Sequence, residues 1–189
     1  MNIKESVTRR DIDAKLQGMG DYVKIDYLVR CLKQAMDFDT RKFVLIKLSE
    51  IYGQKGMYLE AARMLAGSAE INSTFQAKIN DYVKAAEYFM RGGDFDNADS
   101  TFNKAVVCCN GIQKEAIKTK RKELYKAQAK IYMQKDKRNQ ALLTYEKLLS
   151  IEQLNPEEKR EVQSTLLTLY EKLGKIKDYY SLKRNMNLS

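Results

Sequence analysis

Histidine and tryptophan do not occur in this chain of 189 residues, proline occurs once, as Pro156, and glycine only nine times. Each scarcity excludes something. No side chain titrates near neutral pH without help from its surroundings, and no imidazole is present to bind a metal. One proline and nine glycines cannot furnish the many tight turns of a β-sandwich or barrel, so helices are expected. The three cysteines, Cys31, Cys108 and Cys109, offer neither a CxxC spacing nor an even-numbered disulfide framework, which suits a reducing compartment. No stretch approaches the roughly eighteen uninterrupted apolar residues of a transmembrane helix. Met1 to Arg10 contains Lys4, Glu5, Arg9 and Arg10 but no apolar segment of the kind a signal peptide needs. The expectation is a soluble, cytoplasmic protein without a transmembrane segment.

Apolar residues make up 44% of the chain, enough to fill the core of one domain spanning residues 1–189. Charge is plentiful and uneven. Residues 1–110 hold 16 Lys/Arg against 15 Asp/Glu, whereas residues 111–189 hold 18 against 10. The second part therefore carries nearly all of the net charge of +9 and would attract phosphate or acidic peptides at low salt.

The chain repeats itself. A turn residue is followed five positions later by a buried helix position at Gly20/Ile25, Gly56/Ala61, Gly93/Ala98, Asp136/Ala141 and Gly174/Tyr179, with turn spacings of 36, 37, 43 and 38. The turns at Gly20, Gly56 and Gly93 suit the left-handed conformation that ends a helix, and an aromatic, Tyr22, Tyr58 or Phe95, then starts the next. These three aromatics are expected to pack between helices. Nine residues before the last four buried positions stand Tyr52, Phe89, Tyr132 and Tyr170. Four residues after the buried position come Val29, Leu65, Phe102 and Tyr145, one turn along the same face, while the fifth repeat has Lys183.

The pattern predicts ten helices, at about 6–17, 21–35, 40–54, 57–71, 74–91, 94–108, 112–134, 137–151, 156–173 and 176–186. Thr40 and Ser73 or Thr74 are expected N-caps, and Pro156 followed by Glu157 and Glu158 fits a first helical turn.

These residues resemble the tetratricopeptide repeat, in which a small residue on the second helix lets a bulky residue of the first pack closely. Three residues before each aromatic sit Ser49, Ala86, Ala129 and Leu167, where the family favours a small side chain. The family's tryptophan position is occupied by Leu45, Tyr82, Tyr125 and Gln163, and the repeats exceed its usual length. The stretch from Glu87 to Ala98 is also similar to soluble NSF attachment proteins and related helical-repeat adaptors. The resemblance implies an all-α, right-handed α-solenoid of about five antiparallel helix pairs (TPR-like), with repeats near 6–35, 40–71, 74–108, 112–151 and 156–186. It also implies an inner groove lined by first-helix positions: Phe43, Ile46 and Glu50; Asn80, Val83 and Glu87; Glu123, Lys126 and Lys130; and Glu161, Ser164 and Thr168.

A second candidate surface comes from spacing alone. Lys114, Lys118, Lys122, Lys126 and Lys130 recur every fourth residue. With Leu124 at the centre of a buried stripe beside Ile117 and Ile131, they would face solvent as a basic track roughly 24 Å long. Cys108-Cys109 reads as small buried thiols rather than a redox-active vicinal pair. Gly92-Gly93-Asp94-Phe95 reads as a turn, since its aspartates lack the glycine a calcium loop requires. Neither cofactor nor metal is expected, and Glu157 and Glu158 point apart on a helix, so the chain is read as a non-enzyme. The expected role is a scaffold or adaptor receiving a peptide or helix of another protein. The alternative is binding of RNA, a ribonucleoprotein or an anionic surface by the basic second part.

Overall fold

The structure, a computed structural model, describes residues 7–151 and 153–187. Among them no strand occurs, and the ten helices are α1 (Arg9–Leu16), α2 (Asp21–Leu32), α3 (Phe38–Gln54), α4 (Tyr58–Ile71), α5 (Phe75–Arg91), α6 (Phe95–Val107), α7 (Gly111–Gln134), α8 (Arg138–Leu149), α9 (Pro156–Lys172) and α10 (Ile176–Asn187). The expected start of the first helix, residue 6, lies outside the described residues. No helix among the described residues is long and apolar enough to cross a membrane.

Helix starts follow local chemistry. Thr8 and Asp11 form a reciprocal capping box on α1, and Asn155 and Glu158 form another on α9, whose first residue is Pro156. Thr74 caps α5 through Ala77 N–H. The expected cap at Thr40 is corrected: Asp37 caps α3, accepting from the Thr40 N–H at 2.7 Å, because Phe38 and Asp39 already continue the helix N-terminally.

Helix ends explain the repeat. The turn residues Gly56, Gly93, Asp136 and Gly174 all have positive φ, from 51° at Asp136 to 82° at Gly93. In each turn the following N–H reaches back to the carbonyl of the aromatic: Met57 to Tyr52 (2.9 Å), Asp94 to Phe89 (2.9 Å), Lys137 to Tyr132 (2.9 Å) and Lys175 to Tyr170 (2.8 Å). A shorter loop closed by the turn residue itself completes the Schellman motif, as from Gly56 N–H to the Gly53 carbonyl at 3.2 Å. The aromatic thus sits at the position whose carbonyl closes the helix, and at Phe89, Tyr132 and Tyr170 its side chain is buried there. The first turn differs from expectation: Gly20 is extended at φ −70°, and Gly18, at φ 75°, supplies the left-handed residue.

The chain forms two compact units, Met1–Asn110 and Gly111–Ser189. In the first, α3, α4, α5 and α6 each pack on their neighbours in sequence, with α2 and α1 against α3. In the second, α7, α8, α9 and α10 pack in the same sequential manner. Connections of a few residues between packed neighbours make them antiparallel, so each unit is a side-by-side stack of helical hairpins. The small positions Ala61, Ala98 and Ala141 are fully buried, as are Ala86 and Ala129 on the preceding helices, which lets the paired helices approach closely. Each fully buried leucine, such as Leu48 or Leu166, contributes about 1.5–3 kcal/mol. The fifth repeat is weaker: Tyr179 is half-buried and Lys183 exposed.

Candidate functional site

In the first unit, α1 buries Ile12 and Leu16 in a cluster with Leu28, Val44 and Leu48. Its outer edge leaves a cleft of about 560 Å³, lined by Arg9 and Asp13 of α1 and by Asp39, Lys42, Phe43, Ile46, Lys47 and Glu50 of α3. Phe43 is half-buried, and the Arg9 guanidinium lies 4.6 Å from its ring centroid, with Lys47 Nζ at 5.8 Å. Lys47 pairs with Glu50 at 3.4 Å. Arg9, Asp13, Asp39 and Lys42 have no ion-pair partner among the described residues. Three expected groove residues, Phe43, Ile46 and Glu50, therefore meet on one concave surface.

The α5 set is more ordinary. Asn80 accepts a hydrogen bond from Gln76 at 3.0 Å, Glu87 pairs with Arg91 at 2.6 Å, and Val83 is half-buried. Beside Asn80, sequence reasoning missed a polar cross-link: the Asp81 carboxylate accepts from Ser68 Oγ and Asn72 Nδ2, each at 2.7 Å, tying α5 to α4. Asn72 also ends α4, and an asparagine at a helix terminus was the available signal. Glu70 similarly takes Lys104 at 2.8 Å and the Tyr82 hydroxyl. Burial, and then the hydrogen bond to Glu70, push the Tyr82 hydroxyl up to about 12.

The second unit corrects the lysine row. The buried stripe of α7 is Tyr125, Gln128, Ala129 and Tyr132, while Leu124 is half-buried and Ile131 exposed. Tyr125 and Tyr132, seven residues apart with the small Ala129 between them, are turned inward where α7 packs on α8, and the buried stripe is centred on them and not on Leu124. At 100° per residue, Lys114 and Lys118 fall within about 40° of the tyrosine face, and each later lysine drifts a further 40°. Lys122 and Lys126 land on its flank and meet Glu158, in the first turn of α9. Lys122 Nζ reaches the Glu158 carboxylate at 3.0 Å and the Gln153 carbonyl at 3.4 Å, and Lys126 Nζ binds the same carboxylate. The Asn155 N–H donates to it at 3.0 Å. Lys126, then this backbone donor, hold the Glu158 carboxyl down at about 2, and Glu158 in turn raises Lys126. With side chains only 14%, 24% and 16% exposed, Lys122, Lys126 and Glu158 form a partly buried bracket rather than a solvated track.

Lys130 is exposed and lines a cavity of about 50 Å³ with Lys126, Tyr145, Leu148, Glu161 and Val162. Glu123 is exposed, 3.9 Å from both Lys122 and Lys126. Thr168 Oγ1 donates to the Ser164 carbonyl at 3.2 Å on the outer face of α9. Within the first unit one expected set gathers at the α1/α3 cleft; within the second, Lys126, Lys130 and Glu161 gather around the smaller cavity.

Among the remaining candidates, Cys31 and Cys109 are buried thiols, Cys109 Sγ lying 3.1 Å from the Ala105 carbonyl, and Cys108 is half-buried. Phe95 is buried and Tyr58 stacks on Tyr88 with centroids 6.1 Å apart. Tyr22 departs from the expected packing: it is 72% exposed, its ring beside Lys55 Nζ at 5.4 Å. Lys55 also pairs with Asp21, at 2.7 Å. No group of three or more acidic or cysteine side chains is gathered to hold a metal among the described residues.

No family model matches the sequence, and no curated protein does. Solved structures do match in fold. One is BtubC (BKLC) from P. vanneervenii, at 15% identity and a TM-score of 0.39, covering 94% of this chain and 78% of that one. Another is a Podosopora anserina protein with nearly identical TPR-like repeats of kinesin light chain type, at 16% identity and a TM-score of 0.39, covering 95% and 91%. At that TM-score the superpositions are loose and add nothing to the architecture seen directly in the helices.

Proposed function

We propose that this chain is a non-catalytic scaffold or adaptor that receives a peptide or helix of a partner protein, with the α1/α3 cleft as a principal contact surface. The observation that supports this reading most is the cleft itself. Half-buried Phe43 and Ile46 line it, beside four charged residues, Arg9, Asp13, Asp39 and Lys42, that find no ion-pair partner among the described residues. An apolar anchor flanked by side chains of both signs suits such a surface, since the centre of an interface is desolvated while its rim stays polar. On this reading Lys126 serves the bracket around Glu158, and Lys130 and Glu161, both exposed beside the smaller cavity, are groove residues of the second unit available to a partner.

The test is a crosslinking pull-down from the native host, comparing the wild type with Arg9→Glu/Lys42→Glu and with Lys130→Glu. Loss of a partner from the first variant supports the cleft. An unchanged set of partners with both variants rejects it.

The second reading, binding of RNA, a ribonucleoprotein or an anionic surface, draws on the excess of 18 basic over 10 acidic residues in 111–189. Labelled RNA titrated at rising salt tests it. Log affinity falling linearly with log salt supports phosphate contacts, and no binding at low salt removes them.

A further inference from the structure

α7 is twice as long as the helix that covers it. Its 24 residues span about 36 Å, whereas the 12 residues of α8 span about 18 Å. All the buried side chains of α7 lie between Tyr125 and Tyr132, and none of residues 111–124 is buried. The N-terminal half of α7 therefore extends past its partner within the second unit. The face that α7 buries in its second half continues along this overhang, and there it carries Lys114 and Lys118, one turn apart.

The bracket at Glu158 shows what such a pair does. Lys122 and Lys126, also one turn apart on α7, hold one carboxylate between them. Lys114 and Lys118 repeat that arrangement two turns earlier. Lys114 is exposed and has no partner among the described residues. Lys118 meets only Glu115, at 3.0 Å, in a pair whose side chains are 38% and 68% exposed. An exposed pair of this kind contributes little to stability and exchanges readily with an outside carboxylate. The adjoining wall, the segment after α8, is pinned to α7 through Lys122 and the Gln153 carbonyl.

We infer that the overhang of α7 is a docking shelf for a carboxylate-rich segment of a partner protein, whose side chains extend the row begun by Glu158 by binding between Lys114 and Lys118. This rests on the reading of the chain as a scaffold and gives its partner a chemistry. Carboxylate is the anion that this helix already holds, by the same spacing of lysines. A single-stranded nucleic acid would need aromatic platforms for its bases, whereas the exposed apolar side chain on this stretch is the aliphatic Ile112.

Fluorescence anisotropy on the full chain tests this, using a labelled helical peptide with glutamates at every fourth position, and separately a labelled oligouridine. The expected result is peptide binding at low salt that weakens about tenfold or more in Lys114→Glu/Lys118→Glu. The control is Lys172→Glu/Lys175→Glu, which makes the same change of net charge elsewhere in the unit and should weaken binding by less than about threefold. Circular dichroism verifies that both variants are folded, and the Arg9→Glu/Lys42→Glu variant should bind the peptide as the wild type does. Equal weakening in both lysine pairs would mean attraction by net charge alone and overturns the shelf. So would no peptide binding, or oligouridine binding more tightly than the peptide. If the pull-down still loses a partner with the cleft variant while the peptide assay fails, the shelf falls and the scaffold reading stands.

Discussion

The carboxylate of Glu158 lies between the ammonium groups of Lys122 and Lys126, so that the first turn of α9 is fastened to the middle of α7. The same carboxylate closes the capping box with Asn155. Its folded-state value of about 2 is below the ordinary glutamate range of about 4.3. Stability from this group is therefore fully present above about pH 5 and is lost as the pH falls through about 2. Glu158→Gln should cost about 1–3 kcal/mol at pH 7, measured by urea unfolding, and clearly less at pH 3. An equal cost at both values would show that the bracket contributes nothing electrostatic.

Gly53 is placed in the last turn of α3 where the ring of Tyr88 crosses. A Cβ there would sit 2.9 Å from Tyr88 Cζ, and that ring is stacked on Tyr58. Helix propensity alone would make Gly53→Ala stabilising by about 1 kcal/mol. Steric conflict with a rigid ring should reverse the sign, giving a net loss of about 1 kcal/mol that is removed when Tyr88→Leu accompanies it. A single variant with a raised Tm would contradict this packing.

The turns offer an opposed pair. Asp136, at φ 51°, is a non-glycine residue in the left-handed region, and Asp136→Gly should stabilise by about 0.5–1 kcal/mol. Gly56, at φ 74°, has open space where a Cβ would stand, with no atom within 4 Å, so Gly56→Ala should cost about 1 kcal/mol through backbone strain alone. Thermal unfolding of the two variants, read against the wild type, should move in opposite directions.

Ala98 is fully buried where α6 meets α5. Ala98→Leu should destabilise by about 1–3 kcal/mol because the added carbons have no space between helices this close. The same exchange at exposed Ala127 should change the urea midpoint little, and equal effects at both positions would show that no close approach exists at Ala98.

Much of the fold was legible because local chemistry sets it. The observed helices begin and end within about three residues of the predicted bounds, since the turn residue, the aromatic before it and the small residue after it are all read along the chain. The Schellman hydrogen bonds fix the helix end relative to the turn, and the aromatic occupies a buried or half-buried position in the last helical turn before it. The orientation of the lysine row was not legible, for the converse reason. It depended on which of several apolar residues α7 turns inward, and that is settled by α8 and α9, not by α7.

The succession of helical hairpins and their buried small residues is written locally along the chain, because caps, left-handed turns and periodic apolar positions act over fewer than about ten residues. Which charges are engaged is set by the packing of helices distant in the chain. Glu158 reaches Lys122 and Lys126 across more than thirty residues of chain, Asp81 gathers Ser68 and Asn72, and Arg9 comes to rest over Phe43. Those choices depend on where separate helices bring their side chains, and a long charged side chain finds its partner only after packing has set the distance.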